Sequence, residues 1–166
     1  MMIHMDGVAV RNAEGLDLRF ERVMDHPVER VWEAISTESL LAVWLFRGTV
    51  ELTPGGVVDL YAENSGDRIS GTVTEVEPPR ILEYTWRSQD AEATLVRFEL
   101  DAGNDTSSTL VFTHRVGRGD DAAAMLAGWH CHLDMLAALL AGHDTTWPSD
   151  TWRRRYDGYQ RSIAAG

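Results

Sequence analysis

The sequence predicts an α+β domain in which a curved antiparallel sheet wraps around one long helix near the C-terminus. Three observations predict it. Apolar residues alternate with polar ones, the two-residue period of a half-buried strand, at the start of the chain and again through its middle. Turn chemistry divides that middle region at regular intervals. One long stretch near the end instead carries its apolar residues at helical spacing.

The first strand is read from Leu16, Leu18 and Phe20 alternating with Asp17, Arg19 and Glu21. Pro27 follows at a first helical position with His26 as its N-cap, and Val28, Val31, Trp32 and Ile35 recur at helical steps. Ser36 and Thr37 end that helix and can cap a second, with Leu40, Leu41, Trp44 and Leu45 as its stripe. Two short helices after strand one are therefore expected.

From Phe46 to His114 the turn groups are Pro54-Gly55-Gly56, Asn64-Ser65-Gly66-Asp67, Pro78-Pro79 and Gly103-Asn104-Asp105. With the strand-like runs between them, their regular spacing is read as a six-strand meander, giving a seven-stranded sheet with the first strand. Alternation is clear in Leu82, Tyr84, Trp86, in Thr94, Val96, Phe98, Leu100, and in Leu110, Phe112, His114. Glu83, Thr85, Arg97 and Glu99 fall on the opposite, solvent-facing side.

The long helix runs from an Asp120 or Asp121 cap to Gly142, about 30 Å at 1.5 Å per residue. With 100° per residue, Ala122, Leu126, Leu133, Leu136 and Leu140 lie within about 60° of Trp129. Such a face must lie on the sheet, since nothing else in the chain offers enough apolar surface. Beyond it, Ser149 can cap a last short helix whose stripe is Trp152, Tyr156, Tyr159 and Ile163, interrupted by Gly158. That stripe packs on the domain body or, alternatively, forms a face for a homodimer or a protein partner.

With 166 residues the chain is the size of one domain, with a core at 16–142 and an extension at 143–166. Its single cysteine, Cys131, allows neither an internal disulfide nor a multi-cysteine zinc site and points to a reducing compartment. Met1 to Val10 lacks the pattern of a signal peptide, and no apolar run reads as a membrane span, so a cytoplasmic location is expected. A formal charge of -11 disfavours nucleic acid and anionic lipid as partners. Arg153-Arg154-Arg155 reads as a solvated helix face.

His26 to Ala34, Pro54-Gly55-Gly56, and Gly128-Trp129 through His132-Leu133 to Leu140-Ala141-Gly142, in this element order, resemble the START-like or SRPBCC superfamily. Within it the similarity is to the branch named for the activator of the heat-shock-protein-90 ATPase and covers about Leu16 to Gly142. The resemblance implies a helix-grip fold around a ligand cavity. It implies function less narrowly, because the superfamily includes carriers, receptors and aromatic-ring cyclases. The chaperone activator has a further N-terminal domain that engages the chaperone, and none is expected within these 166 residues, which counts against chaperone activation.

His130-Cys131-His132 invites a metal reading, but on a helix the two imidazoles point about 200° apart and cannot converge on one ion. His130 and Asp134 are placed toward solvent. His132 lies inside the apolar stripe with Gly128 one turn before it, which suggests a close approach or open space beside the ring. His114 points to the covered side of the sheet, so the two imidazoles could anchor a ligand from opposite walls. The expected pocket is lined by Trp44, Trp86, Phe98, Phe112 and Trp129 together with Leu133 and Leu136.

No G-x-S-x-G elbow, P-loop or H-E-x-x-H helix is present, and no cofactor, metal or catalytic residue is assigned. A void of roughly 300 Å³ left dry would cost on the order of 7 kcal/mol, so such a pocket must be occupied, wet, or collapsed by its tryptophans. A carrier or sensor for a small apolar or aromatic molecule is the first functional expectation. A protein-interaction module of the chaperone-cofactor kind and a cyclase-like enzyme using the pocket histidines are the alternatives.

Overall fold

The computed structural model describes residues 6–89 and 91–165. Met1 to Met5, part of the stretch read for a signal peptide, lie outside it. The elements are β1 (Val8–Arg11), β2 (Gly15–Met24), α1 (Val28–Ser36), α2 (Glu38–Trp44), β3 (Arg47–Val50), β4 (Val57–Tyr61), β5 (Arg68–Glu77), β6 (Ile81–Ser88), β7 (Thr94–Asn104), β8 (Ser107–Gly117), α3 (Ala122–Leu140) and α4 (Ser149–Ala165). The strands make one antiparallel sheet in the order β1-β2-β8-β7-β6-β5-β4-β3.

The expected meander is β3 to β8, with four of its five connections at the anticipated glycines and prolines; the fifth, between β6 and β7, contains neither. The sheet has eight strands, not seven. The additional one, β1, is a short edge strand whose Val8 and Val10 are half exposed, so no buried alternation marks it. Bulges at Val73–Glu75 and Ala102–Asn104 interrupt the ladders and bend the strands, which gives the sheet its concave face.

Rows of paired residues cross that face. Leu82, Phe98, Phe112 and Phe20 form one row, and Tyr84, Val96, His114 and Leu18 the next. Each of these side chains is nearly or fully buried. On the convex face Arg97 reaches Glu99 at 2.7 Å, Glu83 at 2.8 Å and Glu75 at 3.4 Å, the polar side that the alternation predicts.

Two helix boundaries differ from expectation. Pro27, not His26, occupies the N-cap of α1, and no side chain caps it; its ψ of 153° is extended, as suits a residue preceding the first helical turn. Helix α4 spans 17 residues and Gly158 does not break it, because Tyr159 is anchored against α3 and the N-terminal segment. Asp121 caps α3 by accepting from the Ala124 N–H, and Gly142 ends it with a φ of +80°, where glycine carries no Cβ penalty.

By length and composition α3 could cross a membrane, with 19 residues and a mean hydropathy of 1.3, contrary to the expectation that no run would qualify. Its position explains that hydropathy. One side of α3 lies on the sheet and the other is covered by α4, so it is apolar nearly all round because it is a core helix.

Candidate functional site

The face of α3 centred on Trp129 meets the concave sheet, as the helical stripe requires. Trp129 lies 4.2 Å from Phe112, 5.1 Å from Trp86 and 6.0 Å from both His114 and His132, ring centre to ring centre. Phe98 touches Phe112 at 5.0 Å and Trp44 at 6.4 Å, so the cluster continues to α2. Leu133 and Leu136 are fully buried on the same helix. Every expected lining residue is thus brought to one place, and the rings meet one another there.

Two residues that the pattern did not single out complete the end of the cluster. Phe46 packs 5.9 Å from Trp86 and 5.3 Å from His132, and Trp147, after α3, lies 5.0 Å from His132. Neither belongs to a recognisable period, since one follows a helix end and the other sits in a connection.

The two histidines are held in different ways. The Trp129 indole N–H donates to His114 Nδ1 at 3.0 Å, and an indole can only donate, so Nδ1 is bare and Nε2 carries the proton. Nε2–H then donates to Thr94 Oγ1 at 2.7 Å, which donates to the Trp86 carbonyl at 2.8 Å. Both nitrogens of His114 are engaged, and burial pushes its pKa down to about 3. His132 donates Nδ1–H to the Trp44 carbonyl at 2.9 Å, leaving Nε2 as an acceptor; burial holds its pKa down at about 4.

Gly128 does not open space beside His132. A Cβ there would face α4 and come no nearer than 3.9 Å to Trp152. His130, expected toward solvent, is only 1% exposed, because α4 and residues 6–7 cover that side of α3. Its Nδ1 lies 2.7 Å from Tyr159 Oη, which also accepts the Gly7 N–H at 2.8 Å. Tyr159 is therefore taken up inside the chain instead of facing a partner, while Trp152 and Tyr156 stack on each other and are partly buried against the core. Burial also raises the Cys131 thiol to about 11, so it is no ready thiolate.

Among the described residues, Arg22, Tyr84 and Arg155 (at Nε) keep buried atoms without a partner. Arg22 lies on the inner face of β2, over the Phe20 ring, with Nη1 bonded to Asp134 at 3.1 Å and Nε and Nη2 unmatched. Tyr84, in the centre of the sheet, has no partner for its hydroxyl. Among the described residues no group of three or more His, Cys, Asp or Glu could hold a metal.

At the rim of the sheet a cleft of about 860 Å³ is lined by Glu14, by the β6–β7 connection (Ala91, Glu92, Ala93), by Thr94, by Thr85, Leu95 and Arg115, which share the solvent-facing side of the sheet, and by residues 116–120 before α3. Thr94 belongs to both places. It borders the cleft and bonds to His114 behind it.

The curved sheet gripping a core helix, with an aromatic cluster between them, defines a helix-grip protein of the START-like class. The chain belongs to the Activator of Hsp90 ATPase homolog 1-like protein family, whose model matches residues 25–141. Among solved structures it is similar to CalU16 from Micromonospora echinospora, with a TM-score of 0.75, 21% identity and 94% of this chain covering 93% of that one. It is similar also to EF2215 from Enterococcus faecalis, a conserved protein of unknown function, at a TM-score of 0.79, 15% identity and coverages of 97% and 92%. The protein encoded by BPP1335 from Bordetella parapertussis is 29% identical, with a TM-score of 0.72 and coverages of 96% and 94%. No curated protein matches the chain.

Proposed function

We propose that this protein binds a small, mostly apolar and aromatic molecule between α3 and the concave sheet, as a carrier or sensor without chemistry of its own. The observation that carries the reading is the uncharged aromatic cluster of Trp44, Trp86, Phe98, Phe112 and Trp129 behind a rim cleft of ligand size. In the structure described here the rings occupy the space themselves, so binding requires them to part, with Thr94 at the boundary between cleft and cluster. A ligand that favours the parted arrangement shifts the population toward it.

Cyclase-like catalysis receives less support. General acid–base chemistry works best with groups titrating near neutrality, whereas His114 and His132 are held neutral down to about 3 and about 4, and both nitrogens of His114 are already bonded. The test is native mass spectrometry of protein purified gently from its own cells. A bound organic molecule that survives in wild type and is lost when Trp129→Glu places a charge in the cluster supports the proposal; a ligand-free protein that also takes up no naphthalene opposes it.

A further inference from the structure

Tyr84 sits on β6 between Val73 of β5 and Val96 of β7, with its ring against Trp86 at 6.5 Å and Phe98 at 6.2 Å. It is fully buried, and its hydroxyl has no hydrogen-bond partner. Other buried polar side chains of the cluster do find partners: Trp44 donates to the Ala34 carbonyl at 2.8 Å, Trp129 to His114, and His132 to the Trp44 carbonyl. A buried phenol left unmatched destabilises the closed arrangement, and phenylalanine would fill the same space without that cost.

Resting on the interior-binding reading above, we infer that the bound molecule is a neutral aromatic carrying a carbonyl or ether oxygen, which accepts a hydrogen bond from the Tyr84 hydroxyl. The phenol can act as that donor because burial pushes its pKa far above the ordinary tyrosine value and keeps the proton on. Neutrality follows from the residues packed on Tyr84, since Val73, Val96, Trp86 and Phe98 carry no charge to compensate a carboxylate or an amine stripped of water, and the buried cation Arg22 lies away on β2, over Phe20 and bonded to Asp134. Binding would then satisfy a donor that the closed state leaves bare, and the same bond would select oxygen-bearing aromatics from hydrocarbons of equal shape.

The experiment is calorimetric titration of wild type and Tyr84→Phe with 2-acetonaphthone and with 2-isopropenylnaphthalene, which has nearly the same shape but no oxygen. Wild type should bind the ketone about tenfold more tightly than the hydrocarbon, as one hydrogen bond to a buried group allows. In Tyr84→Phe that preference should vanish while hydrocarbon binding persists, and the melting temperature without ligand should rise. Equal binding of the two probes by wild type, or a ketone preference that survives in Tyr84→Phe, overturns the inference and leaves interior binding standing. If neither probe binds, interior binding itself fails and the inference with it.

Discussion

Trp129 donates its indole N–H to His114 Nδ1 over 3.0 Å, and that bond fixes the tautomer of one side chain and the orientation of the other. The pair joins the face of α3 to the centre of the sheet. Replacing His114 with Phe should strand a buried indole donor and lower stability by about 1–3 kcal/mol in urea unfolding. Trp129→Phe strands the imidazole acceptor instead and also removes packing. The double variant should lose less than the two single losses added together, since each single change already breaks the shared bond. Simple additivity would show that the bond contributes nothing.

Acid should weaken the fold in a defined window. Burial lowers His114 to about 3, His130 to about 4 and His132 to about 4 from an ordinary 6.5. Above pH 6.5 these groups are neutral in both folded and unfolded chains and make no pH-dependent contribution. As pH falls below 6.5 the unfolded chain takes up protons that the folded one refuses, so stability drops until the folded values near 4 to 3 are reached. Denaturation midpoints measured from pH 7.5 to 4 should therefore fall, and the slope should be shallower in His114→Phe by close to one proton. An unchanged slope would mean that His114 is not held neutral.

Gly128 is a helix-interior glycine with room beside it. Alanine there would meet only Trp152, at an ordinary contact distance of 3.9 Å. Gly128→Ala should raise stability by about 1 kcal/mol through helix propensity, detectable as a higher melting temperature. Destabilisation would show that α4 packs more closely than described.

The Tyr159 hydroxyl ties α4 to Gly7 and His130. Tyr159→Phe removes the acceptor for the Gly7 N–H, and hydrogen exchange at Gly7 should accelerate while amides in the centre of β7 remain protected. Unchanged exchange at Gly7 would mean that another group holds this segment.

The helix-grip core was legible because its signals are periodic: the stripe on Trp129 and the alternations ending at Trp86, Phe98 and His114 each place side chains on one face. What escaped depends on contacts between elements. Arg22 faces inward at a position where the alternation asks for an apolar residue, so the apolar–polar pattern is clear only from Leu16 to Glu21, although β2 continues to Met24. His130 falls on the polar side of an isolated α3, and only the docking of α4 buries it. Tyr84 was visible in its strand, but the lack of a partner for its hydroxyl is a property of the packed interior, which no spacing reveals.

The central claim is that the interior beneath Trp129 opens to a neutral aromatic molecule, and the tryptophan indole N–H resonances report on it directly. In a nitrogen–proton NMR titration with 2-acetonaphthone, saturable shifts should concentrate at the Trp44, Trp86 and Trp129 indoles and along β6 to β8, with the resonance of Trp129, bonded to His114, among the most affected. Shifts confined to Trp152 and the outer face of α4, or no saturable shift at all, would contradict it.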